Sequence, residues 1–353
     1  MNALSSDVPV VDDRLGVAVL GVAHIPHAMS YARCLTNSST ARLVGVYDES
    51  VELGRRVADR FGAVFQPDLD SLISSADVQA VVVCSATINH RPLVAAAAAR
   101  GLHVLCEKPI ATSVEDAEAM IAICAEHGVQ LHTAFVTRFY PLVARVRAAV
   151  QDGSLGELLG MVGGNRGRPP LPPQYPDWIT NQSESGGGAL MDHSVHVTDI
   201  MRHISGLEVA SVTAEVDSLF WESGVDDMAL MSLTFDNGAI GSVDPSWSVP
   251  AGNAWDYDFY LRVIGTKGSV SINDLAESLQ LVSSAVAPGM RLVPFGVDID
   301  ALMVDAFVAS VRSGEFVSPC ADGIDGLRAL ETALAGYESS SRSATVALPS
   351  AGT

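Results

Sequence analysis

The sequence predicts an α/β fold in two parts. The first is a doubly wound parallel sheet at the N-terminal end. The second is an α/β domain on a large, mostly antiparallel sheet. Three observations predict this. Short apolar runs alternate with helical segments from Leu15 to Phe135. Beyond residue 140 the runs alternate apolar with polar, from Val209 to Val282. Asp236-Asn-Gly238 between two such runs is a strong hairpin signal.

The elements follow in order. Leu15–Leu20 reads as a strand ending at Gly21, with a helix closing near Leu35 to Asn37. Arg42 to Asp48 is a second buried strand that ends in an acid. Helices over Val51–Phe61 and Leu69–Ser74 flank a short connection at Ala63 to Phe65. Val78–Cys84 is a third strand, and the alanine-rich His90–Arg100 is helical. Val104–Cys106 is a strand that Pro109 ends, because proline donates nothing to a ladder. Thr112 or Ser113 caps a helix from Val114 to His127, and Gln130–Phe135 is the last strand of this part. A glycine- and proline-rich loop is expected from Gly163 to Gly188, then a helix over Ala189–Ile204. Strands follow at Val209–Asp217, Met228–Phe235, Ala239–Trp247, Phe259–Gly265, Ser269–Ile272 and Leu279–Val282. Helices at Ile299–Ser313 and Ile324–Glu338 close the chain. The expected parts are a flexible acidic tail at 1–13, a doubly wound domain at 14–137, and a second domain at 138–353.

Composition narrows the function. The chain has 353 residues, 48% hydrophobic, enough for two cores. Its 41 acidic and 21 basic residues give a formal charge of -20, which repels nucleic acid and anionic membrane. No apolar run reaches the length of a membrane span, and residues 1–13 do not pattern as a signal peptide. The five cysteines are scattered without a C-x-x-C pair, as expected of buried thiols in a reducing cytoplasm.

Three stretches carry the chemistry. In Cys106-Glu-Lys-Pro109, Lys108 stands at the carboxyl end of a parallel strand, where open α/β sheets bind ligands. It can stabilise a developing alkoxide, or simply pair with Glu107. The first turn, Gly21-Val-Ala23-His24-Ile25-Pro26-His27, keeps one glycine of a G-x-G-x-x-G pattern. Ala23 crowds the backbone approach to a pyrophosphate, while Pro26 fits a first helical turn. Asp48 closes the second strand. It can take two ribose hydroxyls and, with Glu49, repel a 2′-phosphate, which favours NAD over NADP; it can equally cap the next helix. The third stretch is Gly186-Gly-Gly-Ala-Leu-Met-Asp192-His193-Ser-Val-His196. Asp192 and His196 are four apart and share a helical face. Asp199 is placed to orient the His196 imidazole, while His193 and His203 fall off that line as structural residues. Asp192, His193, His196 and Asp199 match no defined zinc spacing, so no metal is expected.

With these pieces placed, the chain resembles the Gfo/Idh/MocA oxidoreductases, relatives of glucose–fructose oxidoreductase and inositol dehydrogenase. The resemblance rests on Cys106-Glu-Lys-Pro-Ile-Ala111, the Gly186 to His196 stretch and Ser85-Ala-Thr-Ile-Asn-His90. It implies an N-terminal Rossmann domain and an oligomer, a homodimer or homotetramer, built on the second sheet. It implies hydride transfer between a nicotinamide and a carbinol or keto carbon of a sugar, cyclitol or related polyol. Lys108, Asp192 and His196 match the family's catalytic positions. Ser85, Ala86, His90, Glu107, Lys108 and Pro109 join Gly21, Ala23, His24, Ile25 and Asp48 as cofactor positions. Arg166, Tyr175 and Trp178 of the long loop are candidate substrate contacts beside Lys108, Asp192 and His196, or else pack the loop. Non-catalytic dinucleotide-binding regulators and enzymes using NAD without net redox change share the fold and stay open as alternatives.

Overall fold

The computed structural model describes residues 12–171, 175–253, 257–272, 278–283, 287–294 and 296–349, with backbone alone for 278–294. Most of the expected N-terminal tail lies outside the described residues.

The first sheet contains β1 (Leu15–Leu20), β2 (Ala41–Tyr47), β3 (Val64–Phe65), β4 (Ala80–Val83), β5 (His103–Cys106) and β6 (Leu131–Thr133). The order is β6-β5-β4-β1-β2-β3, all parallel. β1 and β4 are buried along their whole length, as expected of strands covered on both faces. The covering helices are α1 (Ile25–Asn37), α2 (Val51–Phe61), α3 (Leu69–Ile73), α4 (His90–Ala98) and α5 (Val114–Glu126). Ser113 caps α5 by accepting from the Asp116 N–H. Strand order reverses at β1, between β4 and β2, and opens a crevice at the carboxyl ends of these strands.

The second sheet begins with β7 (Leu158–Gly167) after a helix absent from the expected elements, α6 (Pro141–Gln151). A four-residue helix, α7 (Gln182–Ser185), precedes α8 (Ala189–Ser205). Then come β8 (Val209–Asp217), β9 (Met228–Phe235), β10 (Ile240–Ser246), β11 (Tyr257–Gly265) and β12 (Gly268–Ile272). A separate hairpin pairs β13 (Ser278–Ser283) with β14 (Ala287–Pro294). The chain ends with α9 (Ile299–Ser313), β15 (Ala321–Asp322), α10 (Gly323–Arg342) and β16 (Val346–Ala347). The sheet order is β12-β11-β7-β10-β9-β8-β16, with only β7 and β10 parallel.

The expected loop from Gly163 to Gly188 is therefore shorter. Residues 163–167 belong to β7, an interior strand, and their glycines serve close packing there. A Cβ on Gly163 would meet Val197 of α8 at 2.8 Å. Alternation along β7 has a second effect. Asn165 faces inward toward α8, whereas Arg166 points to the opposite face and pairs with Asp258 at 2.7 Å.

α8 is buried on most of its surface between the second sheet and α10. Its far half is held by charge. Arg138, following β6, binds Asp199 through two bonds of 2.5 and 2.7 Å and reaches Asp325 of α10 at 3.0 Å. Breaking such a buried pair from one side costs about 3–5 kcal/mol.

The boundary between the layers is not linear in sequence. β15 adds antiparallel to β6 at the edge of the first sheet. α9 packs Met303, Val304, Phe307 and Val308 into the same core as β1, α1 and α2. A late segment thus completes the first layer.

Candidate active site

The first turn must pass close under its neighbour. Gly21 has φ 78°, and a Cβ there would come within 2.5–2.8 Å of Ser85. Asp48 ends β2 and holds this turn: its carboxylate accepts from Val22 N–H at 2.6 Å and from Ser50 N–H at 2.7 Å. The cap of α2 is Ser50, not Asp48, because Ser50 accepts from Leu53 N–H. α1 starts at Ile25 without a side-chain cap, so its first turn keeps the positive end that suits an anion. Ser85 and Ala86 stand buried just beyond β4 on the other side of the crevice. These groups fit a dinucleotide: an acid at the end of β2, a helix N-terminus, and close backbone at Gly21.

The Glu107-Lys108-Pro109 tripeptide divides its work. The Glu107 side chain is buried and turned toward α1. It accepts from His27 Nδ1 at 2.9 Å, Tyr31 Oη at 2.5 Å and the Lys108 N–H at 3.0 Å. Burial opposes its charge, but the charge and hydrogen bond of His27, with the charges of His24 and Lys108, hold its pKa well below the usual carboxylate range. His27 feels the reverse: burial lowers its pKa, Glu107 raises it, and the net shift is upward. His24 stacks on His27 with centroids 3.8 Å apart, and burial presses its pKa down to about 3. Deep beneath the turn, His90 donates from Nδ1 to the Ile110 carbonyl.

The Lys108 side chain does not pair with Glu107. It crosses to α8, where Nζ lies 2.6 Å from Asp192 Oδ1 and 3.3 Å from the Asp192 carbonyl. Burial disfavours the ammonium, but Asp192, with Glu107, more than offsets this and raises its pKa. Asp192 is held correspondingly low, against its own burial, chiefly by Lys108. The other Asp192 oxygen accepts from Trp247 Nε1 at 3.2 Å and faces His193 Nε2 at 3.3 Å.

His196 lies one turn along α8, buried, against the edge of Phe135. Burial pushes its pKa well below 6.5, with Lys108 adding to the shift, so it is a neutral base at rest. The expected acid behind it is missing. Asp199 is claimed by Arg138, and His196 Nδ1 has no partner. His193, expected off the working face, instead reaches the site and bonds Asn165.

The lysine, the acid and the two histidines of α8 open on one cavity of about 1070 Å³. Lys108, Pro109, Asp192, His193 and His196 line it, with His24, Tyr175 and Trp178. Trp178 also donates its indole N–H to the Ala23 carbonyl at 3.1 Å, so it both faces the cavity and fastens the loop to the first turn. Arg166 is absent from the lining, for the strand-parity reason given above. Trp247, Asn165 and His193 are the site residues that the sequence reading missed. The D-H-x-x-H spacing was visible, but the strand parity that brings Asn165 beneath it was not. Among the described residues, no three His, Cys, Asp or Glu side chains are grouped to hold a metal.

A doubly wound sheet with this crevice, joined to a second sheet whose buried helix brings an acid and two histidines onto a strand-end lysine, defines a two-part dinucleotide-binding oxidoreductase. Comparison with known proteins agrees. Residues 15–135 match the model of an oxidoreductase family with an NAD-binding Rossmann fold, and residues 143–271 match the GFO/IDH/MocA C-terminal domain. The chain belongs to the Gfo/Idh/MocA family. It is 31% identical over 336 residues to the myo-inositol 2-dehydrogenase of Thermotoga maritima, covering 92% of this chain and 94% of that one. The uncharacterized oxidoreductase YrbE of Bacillus subtilis is 34% identical over 224 residues, 62% of each chain, so less than two thirds of that relative is matched. Among solved structures, GenD2 from gentamicin A biosynthesis, in complex with NAD, superposes with TM-score 0.86 at 28% identity over 96% of this chain and 97% of that one.

The ion pair has a direct test. The chain contains only two lysines, Lys108 and Lys267, so lysine-selective NMR resolves each. Asp192→Asn removes the anion that raises the Lys108 pKa while burial remains, so the Lys108 pKa should fall by at least one unit, with Lys267 unmoved. An unchanged Lys108 titration would show that the pair does not set its charge.

Proposed function

We propose that the protein is an NAD-dependent dehydrogenase or reductase acting on a secondary hydroxyl or ketone of a cyclitol, sugar or related polyol. The observation that supports this best is the meeting of Lys108, from the first sheet, with Asp192 and His196, from the second part, around one cavity. The relatives' names point to the same substrate class.

Gly21, Ala23, His24, Ile25 and Asp48 would hold the dinucleotide from one side, and Ser85, Ala86, His90 and Pro109 from the other. The bound nicotinamide supplies the acceptor or donor of hydride. The chain supplies the rest. Lys108, kept cationic by Asp192, polarises the substrate oxygen and stabilises its alkoxide character. His196, neutral at rest, takes the hydroxyl proton in oxidation and returns it in reduction. Asp192 has both oxygens engaged. It therefore fixes the charge and aim of Lys108 more than it binds a neighbouring hydroxyl. Tyr175 and Trp178 offer ring faces to the substrate. The five cysteines carry no disulfide, which suits a reducing cytoplasm. No helix among the described residues is long and apolar enough to cross a membrane.

The second sheet supports a homodimer or homotetramer. α8 and α10 cover one face. On the other, Leu230, Ile240 and Val162 stand 55%, 66% and 38% exposed on adjacent strands.

Three measurements test this reading. A panel of cyclitols, sugars and their keto forms, followed at the nicotinamide absorbance, should give turnover. On an active substrate, Lys108→Ala should lose roughly 10²–10³ in kcat, and His196→Ala roughly 10²–10⁴ with partial recovery at high pH. Full turnover in both variants would remove the proposed roles. Fluorescence titration should show tighter binding of NADH than of NADPH, and Asp48→Ser should narrow the gap; preference for the phosphorylated cofactor would reverse the assignment. Sedimentation at micromolar concentration should show a dimer or tetramer that Ile240→Asp weakens, whereas a wild-type monomer would refute the assembly.

A further inference from the structure

His193 is the site residue for which the reaction outlined above has no use. Its hydrogen bonds define its chemistry. The side-chain amide of Asn165 donates from Nδ2 to the Asp258 carbonyl at 2.9 Å. Its Oδ1 is therefore the atom turned to His193, and an amide oxygen only accepts. His193 Nδ1 lies 2.7 Å from that oxygen, so Nδ1 carries the proton and donates. A neutral imidazole has one N–H, which leaves Nε2 with a lone pair. Nε2 lies 3.3 Å from Asp192 Oδ2. While bare it faces a carboxylate with nothing to share. Once protonated it forms an ion pair with that carboxylate, and the imidazolium is favoured by Asp192 on one side while Asn165 accepts from it on the other.

His196 is built in the opposite way. Its Nδ1 is buried without a partner, so nothing behind the ring stabilises an imidazolium. The charge that acts on it most is the Lys108 ammonium, which repels an imidazolium, and Asp192 offsets this only in part. A proton that His196 takes is therefore poorly placed to stay.

We propose that His193 is a second proton acceptor of this site, receiving at Nε2 the proton that His196 removes from the substrate. This rests on the oxidoreductase reading. Oxidation of CH–OH releases one hydride and one proton. The hydride carries the C–H electron pair to the cofactor. The O–H bond breaks, its electron pair remains on oxygen and becomes the second C–O bond, and the proton passes to His196. It then moves within the cavity that both rings line to His193 Nε2, three residues away on the same helix. Reduction runs the same steps backward. The groups facing His193 are Asp192 and His196 on its own helix, Lys108 from the end of β5, and Asn165 and Asp258 from β7 and β11. Of these, Asp192 and Asp258 favour its charged form. Burial and Lys108 oppose it, keeping the resting ring neutral and free to accept.

The first test needs no substrate. In full-length protein labelled with ¹⁵N-histidine, with and without NADH, the His193 signal is assigned by its loss in His193→Asn. It should show the neutral Nδ1–H tautomer at pH 8 and protonate at Nε2 as pH falls. Asp192→Asn should lower that pKa by at least one unit. The Nε2–H tautomer at pH 8, or a titration indifferent to Asp192→Asn, would overturn the proposal. The second test uses any substrate the panel finds. Asparagine at 193 keeps a donor where Nδ1 stood and removes Nε2. His193→Asn should lower kcat about 10- to 100-fold with KM within threefold, and added imidazole should restore part of the loss. Wild-type kcat in that variant would show a purely structural role and overturn the proposal. Failure of the whole panel would count against the oxidoreductase reading alone, since the NMR result decides the chemistry of His193 without it.

Discussion

The Lys108–Asp192 ion pair joins the two halves of this protein at their chemical centre. Each partner belongs to a different layer, and each is kept charged mainly by the other. A buried lysine left alone would shed its proton, and a buried carboxylate would gain one. The pair is therefore as much a positional constraint as an interaction. It requires α8 to present its first turn to the end of β5, and the rest of the fold serves that requirement. Arg138 anchors the far half of α8 to Asp199 and Asp325. Glycines at 163 and 188 let the helix sit close, since a Cβ at Gly188 would fall 1.9 Å from the Asp226 carbonyl.

What could be read in the residues, and what could not, follows from the range of the interactions. The parallel strands declared themselves because a doubly covered strand is apolar throughout, as in Ala80–Val83. Lys108 was legible because proline stops its strand. Asp192 and His196 were legible because helical spacing is local. Asp199 misled for the same reason. Three residues from His196 it looks like an orienting acid, but its true partner, Arg138, is 61 positions away and invisible to spacing. Arg166 and Asn165 show the strand version of this limit. Without the strand assignment of residues 163–167, nothing says which of two neighbours faces the cavity, and the glycines there read as loop. Helical phase alone turns His193 off the working face, and only Asn165, presented beneath it by β7, shows that it belongs to the site.

The histidines at 24 and 27 illustrate how one carboxylate can set several protonation states. Glu107 is out of contact with the cavity, yet it raises His27 and, by keeping its own charge, adds to the field that holds Lys108 cationic. His24, stacked on His27, is pressed toward neutrality by burial and by that neighbour. Two adjacent imidazoles thus take different electrical characters in a turn where related dinucleotide-binding loops carry glycine.

The return of α9 and β15 to the first layer has a consequence for biosynthesis. When the ribosome has delivered the strands of the parallel sheet, one face still lacks Met303, Val304, Phe307 and Val308, and the β6 edge is still open. Both deficits persist until about residue 322 has emerged. A domain that looks complete by residue 137 thus waits through the synthesis of nearly two hundred further residues with an apolar surface uncovered and a strand edge unpaired. Its maturation waits on α9 and β15, and the two layers reach their final form together.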